Sequence, residues 1–290
     1  MLKKYLFSLI IFFFSTNFTI LKPAYQIFDL KGKATTYEKL KETAQKADVV
    51  LFGELHNNPI CHWLQLQLLK DLHKELKNSL ILGAEMFEAD DQIVLNEYLQ
   101  TLITEKHLEK EAKLWDNYKT DYKPLLDYAL QNKIPFIATN IPRRYASIVS
   151  KKGLEFLEKN IPEEAKKYIA PLPIQVDVTL PNYTKMLEMM PSAHPEVGQN
   201  FIRAQAIKDA TMAHFILKNW QPKYCFLHFN GTYHSNNFEG IVWYLKKANP
   251  TLKICTIASV EQTNISQLTQ ENLNLADFTI AIPEDMTKTY

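Results

Sequence analysis

The chain has 290 residues, of which 46% are hydrophobic, so it can bury a sizeable core and is most simply one domain. Its 33 Lys and Arg residues nearly balance its 32 Asp and Glu residues, and the formal net charge is +1. Without an excess of positive charge the protein lacks the field that attracts polyanions, so nucleic acid is not expected as a partner.

The first residues have the pattern of an export signal. A basic start precedes an apolar run from Tyr5 to Phe14, which has the length of a signal-peptide core. We interpret residues 1–24 as a signal peptide or, if they are not cleaved, as an N-terminal anchor, and residues 25–290 as the mature domain. The expected location is the periplasm or cell envelope. No cysteine precedes Cys61, so the sequence does not predict a lipoprotein.

The predicted elements alternate between strands and helices along the chain. Apolar runs predict core strands at residues 49–52, 80–85, 134–139, 224–229 and 252–258, and residues 25–30 and 275–282 predict further strands. Helices are predicted at residues 37–46, 59–77, 92–113, 124–132, from Pro142, 196–220 and 235–247. This alternation is typical of an α/β fold with a mostly parallel central sheet flanked by helices. The segment from about 150 to 218 interrupts the alternation and predicts an inserted helical subdomain, or lid.

Polar side chains follow four of the predicted strands. In chain order they are Glu54 and His56, Glu85, Asn140 with Arg143 and Arg144, and Asn230 with His234. Because ligands bind outside the carboxyl ends of parallel strands, we expect these side chains to meet at one edge of the sheet. The sequence therefore predicts a cleft that contains two imidazoles, two carboxylates and a pair of arginines.

Such a cleft permits two kinds of chemistry. Glu54, His56, Glu85 and His234 form a nitrogen and oxygen ligand set that suits zinc, manganese or iron, and they are our candidate metal ligands. The same side chains could act as general acid and base without a metal. Structural roles stay open, since Glu54 could accept hydrogen bonds from the next helix and Glu85 could pair with an arginine. His228 lies in mid-strand, and we expect it to be structural.

Several short motifs, taken in order, resemble the ChaN-type haem-binding proteins of bacterial iron uptake. They are Gly53-Glu-Leu-His56, Gly83-Ala-Glu-Met-Phe87, Trp115 with Asp121-Tyr122, Ala138-Thr-Asn-Ile-Pro142, Ala204-Gln-Ala-Ile-Lys-Asp-Ala-Thr-Met-Ala213 and Gly231-Thr-Tyr-His234. The resemblance extends from about Val49 to Lys247. The wider superfamily includes Tiki, TraB and erythromycin-esterase-like proteins, and metal-dependent hydrolases of this group share the paired Gly-x-x-His and the glutamates.

The resemblance implies an envelope protein for haem and iron acquisition that binds haem in an apolar pocket next to the helical subdomain. It also implies a tyrosinate ligand to ferric iron, a homodimer when haem is bound, and an outer-membrane haem-uptake partner. The candidate haem-contacting residues are Tyr118, Tyr122 and Tyr183 as iron ligands, His194 and His214 as propionate or axial partners, and Arg143, and Met186, Met189 and Met190 could line the pocket. The sequence does not choose among the tyrosines.

We favour haem binding without turnover. The alternative is a metal-dependent hydrolase, protease-like or esterase-like, in which Glu54, His56, Glu85 and His234 would be catalytic.

Overall fold

The computed structural model describes residues 22–188 and 195–290, which form one eight-stranded sheet with helices on both of its faces. The strands are β1 (Gln26–Asp29), β2 (Ala34–Thr35), β3 (Val49–Glu54), β4 (Leu80–Glu88), β5 (Phe136–Asn140), β6 (Cys225–Gly231), β7 (Ile254–Gln262) and β8 (Phe278–Pro283). The helices are α1 (Tyr37–Ala44), α2 (Pro59–Leu76), α3 (Gln92–Leu99), α4 (Glu105–Glu111), α5 (Lys123–Asn132), α6 (Arg143–Lys152), α7 (Leu154–Asn160), α8 (Pro181–Glu188), α9 (Pro195–Asn219) and α10 (Ile241–Ala248). A π-helical turn, Tyr118–Tyr122, leads into α5.

The strand order is β2-β1-β8-β7-β3-β6-β4-β5. From β8 to β5 all neighbouring strands are parallel, whereas β1 is antiparallel to both β2 and β8. The α/β fold with a mostly parallel central sheet is therefore confirmed. The carboxyl ends of β3, β4, β5 and β6 lie at one edge, because parallel strands all run in the same direction.

The central strands are apolar because both faces of the sheet are covered. In β3, Val50 and Phe52 pack into the larger core beneath α1 to α5, while Val49 and Leu51 pack on the opposite face against α9 and α10. A strand buried on both faces gives a continuous hydrophobic run without alternation, which is the pattern that predicts β3 from the sequence.

Two predicted helices are interrupted in the structure. The single helix expected over residues 92–113 is two helices, because Thr101 has a φ of 60° and Thr104 begins a new helix with a capping box to His107. The helix expected from residue 235 begins only at Ile241, since Asn237 and Gly240 have φ angles of 58° and 54°. Residues with positive φ end a regular helix. The chain before α10 instead forms two short 3-10 turns, Thr232–His234 and Asn236–Phe238.

Between β5 and β6 the described chain is helical, with α6, α7, α8 and α9. Helices α6, α7 and α9 share a small core that includes Val149, Leu157 and Ile207. The subdomain boundaries and the lid function stay predictions, as does the signal peptide, whose residues 1–21 lie outside the described residues. In the described ranges, no helix combines the length and the apolar character required to cross a bilayer.

Candidate functional site

A cavity of about 720 Å³ opens at the carboxyl edge of the sheet, between the strand ends and helices α6 and α9. Strand ends supply its polar floor, with Glu54, Glu85 and Gly231, and the turn after β6 supplies His234. The cleft predicted from the sequence is thus one place in the structure, because the parallel topology brings these distant segments to the same edge.

The buried Glu54 and the partly exposed His56 form a pair on one side of this cavity. The Nδ1 atom of His56 lies 2.9 Å from Oε1 of Glu54, which also accepts a 2.8 Å hydrogen bond from the hydroxyl of Tyr122. Gln65 donates to the other carboxylate oxygen, and Trp115 packs edge-on against the imidazole with centroids 4.9 Å apart. Glu54 therefore holds His56 in one orientation, with Nε2 directed toward Gly231.

The charges of this pair stabilise each other. Burial alone would raise the pKa of Glu54, but the hydrogen bond from His56 and the neighbouring His62 hold that pKa below its usual value. Burial would likewise lower the pKa of His56, yet the hydrogen bond to Glu54 and the charge of Glu85 raise it. The contact therefore favours the ionised form of Glu54 and the protonated form of His56.

His234 lies between two buried carboxylates on the other side. Its Nδ1 is 2.5 Å from Oδ1 of Asp209, on α9, and its Nε2 is 3.2 Å from Oε1 of Glu85. Tyr183, on α8, donates a 2.8 Å hydrogen bond to the second oxygen of Asp209. Burial opposes the charge of His234, but the two carboxylates raise its pKa to about 10, so it is a cation at neutral pH.

Gly231 separates the two imidazoles. Its backbone N–H donates a 2.7 Å hydrogen bond to Oε2 of Glu85, and a Cβ atom at this position would lie 2.8 Å from Nε2 of His56. The missing side chain therefore lets His56 approach the end of β6. Gly53 lies within β3, where a Cβ would lie 2.9 Å from the Cα of Thr232. Both glycines serve the close approach of chain segments.

His228 lies beneath the site, fully buried in β6. Its ring nitrogens lie 2.7 Å from Oγ1 of Thr139 and 3.1 Å from Oδ1 of Asn230. Burial lowers its pKa to about 4, so it is neutral in the folded protein. The structure thus gives it the interior position that we expected.

The pH dependence of stability should report this burial. Because the unfolded chain binds a proton near pH 6.5 and the folded one only near pH 4, stability is full above pH 6.5 and is lost as the pH falls toward 4. The shift corresponds to about 3 kcal/mol. In urea unfolding between pH 7 and 4, His228→Gln should show a shallower decline than the wild-type protein. An identical decline in both proteins would contradict a neutral buried His228.

The metal-ligand prediction receives no support from the geometry. Within the described ranges, no group of three or more His, Cys, Asp or Glu side chains is arranged to hold a metal ion. Both oxygens of Glu54 already accept hydrogen bonds, and both nitrogens of His234 face carboxylates. These atoms are therefore occupied within the protein.

The tyrosines predicted as iron ligands do not line the cavity. Tyr118, Tyr122 and Tyr183 are at most 3% exposed. Burial raises the pKa of all three, and Tyr122 and Tyr183 also donate to the carboxylates of Glu54 and Asp209. This placement argues against phenolate ligation by them. The tyrosines that line the cavity are Tyr233 and Tyr290, which are 48% and 64% exposed.

The other predicted residues are separated from one another. Arg143 lines the cavity at the first position of α6, and Met186 lines it from α8. Arg144 instead pairs with Asp90 at 2.6 Å. His214 lies in a different cavity, on the C-terminal half of α9. His194, Met189 and Met190 lie outside the described residues.

Sequence reasoning missed three residues of the site: Tyr233, Lys208 and Asp209. All three belong to the motifs quoted above, but the sequence does not show in which direction each side chain points. Lys208 lines the cavity, whereas its neighbour Asp209 is buried against His234. When two adjacent residues of a helix are both polar, the sequence does not show which of the two side chains faces the site.

Comparison with known proteins gives a family and a fold. A model of the family described as haem-binding uptake, Tiki superfamily, ChaN matches residues 40–245, more than half of the chain. The chain is also similar to Protein RETICULATA-RELATED 5, chloroplastic, of Arabidopsis thaliana, at 26% identity over 200 residues, 65% of this chain. The match covers 26% of that protein, so the chain spans about a quarter of this relative's length.

Two solved structures share the fold. One, described as cofacial haem binding to ChaN of Campylobacter jejuni, has a TM-score of 0.69 at 18% identity and covers 88% of this chain and 96% of that one. A Bacillus cereus protein has a TM-score of 0.50 at 13% identity and covers 85% of this chain and 90% of that one. At such identities the likeness establishes the architecture alone.

Proposed function

The chain belongs to the ChaN family of haem-binding uptake proteins in the Tiki superfamily, and from this premise we propose that its cavity at the carboxyl edge of the sheet binds haem. The observation that carries the proposal is the composition of the cavity. A volume of about 720 Å³ lies within the range of small-molecule sites, and the lining combines an apolar wall, exposed phenols and the side chains of Arg143 and Lys208. These three features match the apolar macrocycle, the iron and the two propionates of haem.

The apolar wall comes from the helices that cover the strand ends. Ile141 lies between β5 and α6, Ala146 lies on α6, Phe201 and Ala204 lie on α9, and Met186 lies on α8. A methionine adapts its shape to an irregular ligand surface, and a phenylalanine offers a flat face to a macrocycle. The proposed position of the porphyrin is against this wall.

Tyr233 is the proposed iron ligand. A phenolate is among the axial ligands that proteins supply to haem iron, and Tyr233 presents an exposed phenol in the turn that follows β6. The next residue, His234, is fixed between Asp209 and Glu85, so the turn that carries Tyr233 is anchored to α9 and β4. Tyr290 is a second exposed phenol in the lining, and a variant can distinguish the two.

Arg143 and Lys208 are the proposed partners of the propionates. Both line the cavity, and in the described part of the chain neither lies within 4 Å of a carboxylate. Arg143 also begins α6, whose N-terminal N–H groups favour an anion. Asn140 Oδ1 and Gln205 Oε1 are buried in the same lining and accept no hydrogen bond from described residues. If its oxygen and nitrogen positions are exchanged, either side-chain amide can donate a hydrogen bond to a propionate.

The cellular role that we propose is haem and iron acquisition in the envelope. The support is the family, together with the signal-like pattern of residues 1–24. A homodimer and an outer-membrane partner follow from the resemblance alone and stay predictions. The geometry does not favour the metal-dependent hydrolase, since the described residues contain no group of ligands arranged for a metal.

Filling the cavity should abolish most of the binding. Ser147 lies one helical turn after Arg143 and lines the cavity, so Ser147→Trp places an indole in the proposed porphyrin position. We expect hemin affinity, measured by titration of the Soret band, to fall at least about tenfold, which corresponds to 1.4 kcal/mol. The control is Ser266→Trp, at an exposed residue that does not line the cavity.

The wild-type protein should saturate at one hemin per chain. A wild-type titration without saturation, or equal affinity in Ser147→Trp and Ser266→Trp, would count against the proposed site.

A further inference from the structure

A second cavity, of about 400 Å³, lies between the C-terminal half of α9 and the segment of residues 166–172. It shares no lining residue with the larger cavity. His214, which the sequence suggested as a haem partner, lies in its wall. His214 is therefore separate from the larger cavity and belongs to a second one.

The floor of this cavity is apolar and firmly held. Ile169 and Ala170 are buried, and Ile169 packs in the small core that α6, α7 and α9 share, with Leu172 packed against that core. The backbone N–H of Ala170 donates a 3.2 Å hydrogen bond to Oγ1 of Thr211 on α9. The wall segment is therefore fixed to the helix by both a hydrogen bond and apolar packing.

The rim of the cavity is positively charged. Lys166, Lys167 and Lys218 line it, against the single carboxylate of Glu158. Lys166 pairs with Glu163 at 2.5 Å, which leaves Lys167 and Lys218 without a carboxylate within 4 Å in the described ranges. An ammonium group near an apolar surface attracts an anion more strongly than one that is fully surrounded by water.

His214 adds a polar group within the wall. Burial and the charge of Lys218 lower its pKa, so it faces the cavity as a neutral imidazole. It makes no hydrogen bond to another residue of the described chain. A neutral imidazole can donate to a ligand oxygen, which an anionic head group would supply.

We propose that this second cavity binds an amphipathic carboxylate, with an unbranched apolar chain on Ile169, Ala170 and Leu172 and its head group between Lys167 and Lys218. A flexible chain suits the volume better than a porphyrin does, since this cavity is a little over half as large as the one assigned to haem. The proposal does not rest on haem binding, because the two linings are separate.

Laurate, used below its critical micelle concentration, is the probe. It is titrated by calorimetry into protein that has been saturated with hemin, so that the larger cavity is filled. We expect one laurate site per chain, and affinity at least about tenfold lower in Lys167→Gln/Lys218→Gln, because hydrogen bonds between a charged donor and a carboxylate are the strong ones. Dodecanol, which lacks the charge, and acetate, which lacks the chain, should each bind more weakly than laurate.

The matched control is Lys70→Gln/Lys74→Gln, which removes two exposed lysines of α2 and should bind laurate as the wild-type protein does. All three proteins should have the same far-ultraviolet circular dichroism. Equal laurate affinity in the two double variants, or acetate as tight as laurate, would overturn the proposal. If hemin does not bind at all, the same comparison on hemin-free protein decides the question alone.

Discussion

Tyr233→Phe is expected to lower hemin affinity by at least about a hundredfold, because it removes the proposed iron ligand while keeping the aromatic ring. Loss of a residue that only supports a metal ligand typically costs about 10- to 100-fold, and loss of the ligand itself should cost more. The band that arises from charge transfer between phenolate and ferric iron should disappear from the visible spectrum. Equilibrium titration and the absorption spectrum of the loaded protein measure both effects.

The matched controls are Tyr290→Phe and Tyr183→Phe. Tyr290 is the other exposed phenol of the cavity, and Tyr183 is buried with its hydroxyl on Asp209. Both variants should keep the charge-transfer band and bind hemin within about tenfold of the wild-type affinity, a difference of at most 1.4 kcal/mol. Loss of the band in Tyr290→Phe, with Tyr233→Phe unchanged, would transfer the ligand role to Tyr290.

Asp209→Asn is expected to destabilise the protein by about 3 kcal/mol at pH 7, since breaking a buried ion pair leaves a charge without its partner. The value is at the lower end of the range for such changes because Glu85 still faces His234 at 3.2 Å. Urea unfolding followed by circular dichroism gives the free energy of unfolding. His234→Gln should cost less in the Asp209→Asn background than in the wild-type protein, because the two residues form one pair.

The control for this prediction is Glu155→Gln, which removes an exposed i,i+4 pair with Lys159. Such a pair contributes at most about 0.5 kcal/mol. If Asp209→Asn were no more destabilising than Glu155→Gln, the buried triad of Asp209, His234 and Glu85 would not hold the turn after β6. The raised pKa of His234 would then have no structural consequence.

The central strands could be predicted from the sequence because they are buried on both faces, whereas the exposed two-residue edge strand β2 was not predicted. Val49 to Phe52 have no polar interruption, and only a fully covered strand tolerates that. The order of the strands in the sheet could not be predicted in this way. The placement of β6 between β3 and β4 depends on contacts between residues 177 and 145 positions apart, which no local pattern encodes.

The prediction of helix boundaries failed where residues with positive φ interrupt the helix. Between α3 and α4 the residue with positive φ is a threonine, which is rare in that conformation, so the apolar periodicity of residues 92–113 gives no warning of the break. Before α10, Asn237 and Gly240 are residues that tolerate positive φ, and that signal was available in the sequence.

The candidate site was predictable at the strand ends and not beyond them. Glu54, Glu85 and His234 come together because parallel strands share a carboxyl edge. The contribution of α9 depends on tertiary packing, which buries Asp209 and leaves Lys208 in the cavity lining. The same packing buries Tyr122 and Tyr183 as hydrogen-bond donors, although the sequence made both of them candidate iron ligands.

The most direct measurement is a crystal structure of the wild-type protein loaded with hemin. We predict that the porphyrin lies in the cavity between the strand ends and helices α6 and α9, with the Tyr233 phenolate bonded to iron and the propionates toward Arg143 and Lys208. Hemin bound anywhere else on the protein, or iron without a bond to a tyrosine of this cavity, would contradict the proposal.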